Sequence, residues 1–143
     1  MRKFATALVL CIVAWSSMVA GENGRRRVWT TAKVSHIETG LINAFQSGVP
    51  GLQASAAVTL MEVRKEVPTY RWSRCIIPLM RIVNDEDGDS HARMAAALAL
   101  YGLRSDRGDY LIVQNARFTS DPRVRRFCTL LVNSHLLEEE STP

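Results

Sequence analysis

From residue 33 to residue 137 the apolar side chains recur at the three-to-four-residue spacing of helices. Ile37, Leu41, Ile42 and Phe45 stand at i, i+4, i+5 and i+8, one face of a helix. Ahead of them Ser35 and Glu38 have the spacing of a capping box, in which the serine accepts from an amide of the first turn and the glutamate reaches back. Gly48, Pro50 and Gly51 are expected to end this helix. A second helix is expected from about 52 to 65, with Leu52, Ala56, Leu60 and Val63 inward and Pro68 barring continuation. Residues 70–74 read as loop. A third helix is expected to begin at Ile77-Pro78-Leu79, because a proline in the first turn loses no hydrogen bond, and to bury Leu79, Met80 and Val83 before the acidic run 85–89. Asp89 is the expected cap of a fourth helix with Ala92, Ala96, Ala99, Leu100 and Leu103 on its buried face. Ser105 is the expected cap of a fifth, with Tyr110, Leu111, Val113 and Phe118 as its apolar positions. Asp121-Pro122 opens a sixth through Val124, Phe127, Cys128, Leu131 and Val132. Glu138, Glu139 and Glu140 lie at the negative end of that helix dipole, so its last turn is expected to fray.

Three of these helix starts superpose. Leu52-Gln53, Ala92-Arg93 and Val124-Arg125 are each followed by a small residue at the fourth position after the first (Ala56, Ala96, Cys128) and an apolar one four further on (Leu60, Leu100, Val132). One further helical segment separates successive starts. Two helices cannot close a core alone, so such units must stack. Asp89-x-x-Ala92-Arg93-x-x-Ala96-Ala97-x-Ala99-Leu100 resembles the first helix of a HEAT repeat, and Asp121-Pro122-x-Val124-Arg125 resembles the same start more closely. The run from Ile76 to Asp85 resembles a HEAT second helix. The likeness extends over residues 48–137, and the whole chain resembles small secreted HEAT-like proteins of bacteria. It implies an all-α fold, a short right-handed α-solenoid of about three HEAT-like hairpins. In the first unit Val49 and Gln53 replace the Asp and Arg of the pattern, as suits a terminal repeat. The expected structural ladder is Asp89, Arg93, Asp121 and Arg125, each Asp capping its helix and each Arg bridging to the Asp of a neighbouring repeat.

The ends of the chain follow different rules. Arg2 and Lys3 precede an apolar run over 4–15, and Val19-Ala20-Gly21 supplies the small residues of a cleavage site. The run is shorter than the about 20 residues that cross a bilayer. The division expected is a signal peptide at 1–21, a flexible basic leader at 22–32, the helical repeat domain at 33–138 and a disordered tail at 139–143, with cleavage after Ala20 or Gly21. The protein is accordingly expected in the periplasm or outside the cell. Loss of Arg2 and Lys3 takes the formal charge from +4 to +2, so the mature chain is less basic than the whole. That modest charge and an exported address argue against nucleic acid as a partner.

The search for chemistry returns little. His36, His91 and His135 fall on three different helices, none with a ligand at the spacing of a zinc helix. Of three cysteines, Cys11 leaves with the signal; Cys75 and Cys128 remain, and Cys128 on an apolar stripe reads as a small core residue. The run 85–89 has the composition of a calcium loop without its closing glutamate. Arg107-Gly108-Asp109 spells an adhesion tripeptide but falls at a helix start. No catalytic, metal or cofactor site is expected. Arg71, Trp72, Arg74 and Arg81 form the one basic and aromatic cluster suited to binding. The function expected is that of a non-catalytic exported scaffold presenting a helical surface to a protein or peptide. An acidic partner is compatible with the arginines, and attachment to a membrane surface through Arg25, Arg26 and Arg27 is the weaker option. The alternative class is an accessory protein or enzyme subunit using cysteine or histidine chemistry. N-terminal sequencing of protein recovered from its native compartment should begin near Glu22; a mature chain that retains Met1 would refute the export expectation.

Overall fold

The structure is a computed structural model that describes residues 28–140. It is all-helical: six helices, and no strand among the described residues. They are α1 (Thr31–Phe45), α2 (Pro50–Glu66), α3 (Ser73–Asn84), α4 (Ser90–Leu103), α5 (Asp106–Phe118) and α6 (Pro122–Glu140). The expected signal peptide and most of the expected basic leader lie outside the described residues.

The caps expected of the last three helices form. Asp89 Oδ1 accepts from the amides of His91 and Ala92 at 2.9 and 3.0 Å, and Ser105 Oγ accepts from Gly108 N at 3.1 Å. Asp121 Oδ1 accepts from Arg123 N at 2.8 Å and Val124 N at 3.3 Å, with Pro122 opening the helix. The first three helices start earlier than expected. Thr30, not Ser35, caps α1, accepting from Lys33 N at 3.3 Å. Ser35 therefore lies inside the helix and Glu38 is buried rather than reaching back. Thr31 and Ala32, assigned to the leader, are helical, and Trp29 donates its ring N–H to Glu66 at 3.1 Å. Pro50 opens α2 instead of ending α1, after a turn that needs positive φ at Gly48 (+71°). Leu52 then points outward, while Ala56, Ala57 and Leu60 are buried. α3 begins at Ser73, so Pro78 stands inside the helix rather than in its first turn. The residues behind this shift are Trp72 and Cys75: both are buried, and their packing outweighs the one hydrogen bond that Pro78 cannot donate. On α5 it is Leu111 and Ile112 that are buried, whereas Tyr110 and Phe118 face out. α6 runs to Glu140, two residues into the expected tail.

Packing follows chain order. The extensive helix contacts are α1 with α2 and α3, α2 with α4, α3 with α4 and α5, α4 with α5 and α6, and α5 with α6. No helix packs extensively on one three or more places away. α4 touches four of the others, and its composition explains this. Ala92, Ala96, Ala97 and Ala99 are all buried, and side chains this short let neighbouring backbones come close on several sides. Leu100 fills the space left between them. Gly108 extends the same logic to α5, since a Cβ there would lie 3.3 Å from Leu100 Cβ and 2.9 Å from Ser105 Oγ.

The polar centre of this packing is Arg93, which has no exposed surface. Its Nε donates to Val83 O at 3.0 Å; its Nη2 reaches Glu86 Oε1 at 2.9 Å, Thr119 Oγ1 at 2.9 Å and Asn115 Oδ1 at 3.3 Å. The Thr119 hydroxyl donates in turn to Glu86, and Ser120 donates to Glu86 from both its amide and its hydroxyl. The expected ladder is thus corrected in its partners. The carboxylate on Arg93 is Glu86 from the α3–α4 turn, not an Asp of the next unit. Arg125 turns back to Thr119 O, at 3.1 and 2.6 Å, instead of reaching Asp89. Asp121 makes the link between units through Ser90, whose hydroxyl donates to it at 2.5 Å and so joins the starts of α4 and α6. The reason is reach: Glu86 and Thr119 come from turns that flank Arg93, whereas the cap carboxylates are already engaged with their own amides.

Replacing Arg93 by leucine removes a guanidinium that serves several acceptors and should cost about 2–4 kcal/mol, against less than about 0.5 kcal/mol for Arg126→Ala on the exposed face. Paired denaturant melts check this, and equal shifts would contradict it. Ser120, followed by Thr119 and Arg93, holds the Glu86 carboxyl down at about 2 against an ordinary 4.5. A depressed carboxyl stabilises the fold above its unfolded pKa and loses that contribution as pH falls from 4.5 towards 2. Glu86→Gln should therefore flatten the acid limb of the melting temperature in that window while lowering stability near neutrality.

Candidate functional site

α5 and α6 run antiparallel from a tight turn at 119–121, so the start of α5 lies beside the end of α6. Between them, closed on one side by Tyr101 of α4, is a groove of about 270 Å³. Ile112 and Leu131 are buried in its floor, Val113 and Val132 form its walls, and Tyr110 and Leu136 stand exposed at the rim. Two ionisable groups enter this apolar lining, Asp109 from the first turn of α5 and His135 from the far part of α6. The His135 ring sits edge-on to Tyr101, with centroids 6.4 Å apart. Asp109 Oδ1 is buried with no hydrogen-bond partner. Burial pushes the Asp109 carboxyl above its ordinary value, and the charges of His135 and Arg104 pull the other way.

A carboxylate beside an imidazole in an apolar cleft can accept or deliver a proton, or anchor a polar group of a bound segment. The lining holds no serine, threonine or cysteine that the pair could activate. Sequence reasoning missed this pair because it sought partners four residues away along one helix. The signal was there in the turn: once 119–121 folds the hairpin, position 109 falls opposite position 135.

The cysteines are elsewhere and poorly suited to attack. Both are free and buried. Burial pushes the Cys75 thiol up to about 12, with Glu38 adding and Arg74 opposing, and pushes Cys128 up to about 11 against the pull of Arg93. The thiolate is the nucleophile, and it is scarce at neutral pH in both. His36 and His91 are exposed, the latter 3.8 Å from Asp89. Among the described residues no group of three or more His, Cys, Asp or Glu side chains is placed to hold a metal. Glu86, in the acidic turn, is occupied by Arg93 and its neighbours, and the Arg107-Gly108-Asp109 tripeptide is helical with Gly108 buried.

The basic cluster is divided. Arg71 and Trp72 line one pocket, but Trp72 is nearly fully buried. Arg74 turns to the buried Glu38, 3.6 Å away, which also accepts from Tyr70 at 2.9 Å. Arg81 lies further along α3 on a surface shared with Asp85. No protein-family model, curated protein or solved structure matches this chain. No helix among the described residues is long and apolar enough to cross a membrane.

In the native protein Cys75 and Cys128 should react with a thiol reagent at least about a hundredfold more slowly than in denaturant, since both burial and a raised pKa deplete accessible thiolate. Fast native labelling of either would restore it as a candidate nucleophile.

Proposed function

We propose that this is an exported, non-catalytic binding or scaffold protein whose docking surface is the groove and rim of α5 and α6, and that its helices form a short α-solenoid of about three HEAT-like hairpins. The observation that carries the binding reading is the apolar surface of the last two helices. Tyr110, Phe118, Leu130, Leu136 and Leu137 are each more than half exposed. Tyr110 and Leu136 border the groove, whereas Leu130 lies on another surface with Met94 and Phe127, and exposed apolar side chains beside an apolar groove mark an interaction surface. A terminal unit in a repeat stack normally carries a polar outer face; here the last hairpin carries leucines and aromatics. The occupant favoured is an apolar segment of a partner protein, with its side chains over Ile112 and Leu131 and a polar group near Asp109 and His135. Packing confined to first and second neighbours in chain order supports the solenoid reading, and the raised thiol pKa values support the non-catalytic one.

A photo-crosslinking residue placed at Leu136 should capture one defined partner in the native compartment, and the same residue at His36 on α1 should not. The adduct should disappear when Tyr110→Asp is added, with the melting temperature changed by no more than a few degrees. Equal capture at both positions, or an adduct indifferent to Tyr110→Asp, refutes this surface as the docking site.

A further inference from the structure

The connection between α2 and α3 encloses a second pocket, of about 420 Å³, with a chemistry opposite to that of the groove. It is lined by Arg64 in the last turn of α2, by Thr69 and Arg71 of the connection, by Trp72 and Ser73 at the start of α3, and by Ile76 one turn on. Neither Arg64 nor Arg71 makes an ion pair among the described residues. No carboxylate lines the pocket. The nearest one behind its wall, Glu38, is buried and already accepts from Tyr70 and faces Arg74.

The start of α3 adds further donors. α3 is 12 residues long; its N-cap, Trp72, gives no side-chain hydrogen bond, and its first turn holds no acidic residue. Its leading amides and the positive end of its dipole are thus left without a negative partner at a position that lines the pocket. Trp72 is 3% exposed, and its ring N–H is a buried donor with no partner. Two unpaired guanidinium groups, two hydroxyls and an uncapped helix start form a surface that offers donors and positive charge, with hydroxyls as its sole side-chain acceptors apart from the engaged Tyr70.

We propose that this pocket binds a phosphate group, held by Arg64 and Arg71 in the manner of a guanidinium clamp and by the leading amides of α3. The pocket exceeds the size of a bare tetrahedral oxyanion, and Ile76 gives it an apolar wall, so a phosphate ester with a small organic group fits better than the free ion. The site is separate from the α5–α6 groove and does not depend on that groove's role.

Inorganic phosphate and phenyl phosphate are the probes, with phenol as the neutral control. They are titrated into the isotope-labelled mature protein while the Trp72 indole and the Ser73 and Arg74 amides are followed by NMR. Phenyl phosphate should give a saturable shift at those three resonances and phenol none. Arg64→Gln and Arg71→Gln should each weaken binding about tenfold, the loss expected for one charge-assisted contact. Both side chains are unpaired at the surface, so the variants should melt with the parent. Tighter binding of phenyl phosphate than of inorganic phosphate identifies an ester-borne group, and equal binding identifies free phosphate; either supports the site. Absence of a saturable shift with both phosphates, equal response to phenol, or affinity unchanged in both variants overturns it.

Discussion

Burying a guanidinium is costly unless its donors are met, and the middle of this fold gathers four acceptors around Nε and Nη2 of Arg93, while its Nη1 is buried with no hydrogen-bond partner. One acceptor is the last turn of α3, through Val83 O; one is the turn after it, through Glu86; two are the end of α5, through Asn115 and Thr119. Two segments, residues 83–86 before α4 and 115–119 after it, must therefore meet at one side chain carried by α4. Apolar packing alone would tolerate sliding of an alanine-rich helix against its neighbours, since alanine faces are smooth. The directional bonds of Arg93 fix its position along the axis, and the Asp121–Ser90 link does the same for α6 against α4.

That arrangement explains what could be read from the sequence. The starts of α4, α5 and α6 were legible because Asp89, Ser105 and Asp121 act on their own amides within a few residues, and local chemistry can be read locally. The starts of α1, α2 and α3 were not, because distant partners decided them. Ser35 and Glu38 have capping-box spacing, but Glu38 is drawn inward by Tyr70 and Arg74, and the helix grows back to Thr30. Pro78 looked like a first-turn proline until burial of Trp72 and Cys75 extended α3 behind it. Arg93 was singled out from the sequence, whereas its partner Glu86 was not, since Glu86 lies in a turn that reads as solvated.

The candidate sites divide in the same way. Arg71 and Trp72 were found by composition, but their grouping with Arg64 rather than with Arg74 and Arg81 depends on how the 67–72 connection folds back on α2. Asp109 and His135 come to line one groove only through the geometry of a hairpin. The two sites differ in kind: the groove is apolar with one orphaned carboxylate oxygen, and the pocket is rich in donors with no carboxylate. They sit towards opposite ends of the helix order, so one chain can present two unlike surfaces without either compromising the other.

The absence of extensive packing between helices three or more places apart has a kinetic meaning as well as an architectural one. Every extensive helix pair is separated by at most one intervening helix, so the entropy lost in closing each loop is modest. Domains dominated by such local pairing reach the native state in microseconds to milliseconds. A newly made chain would then expose its unpaired apolar faces only briefly before they are covered.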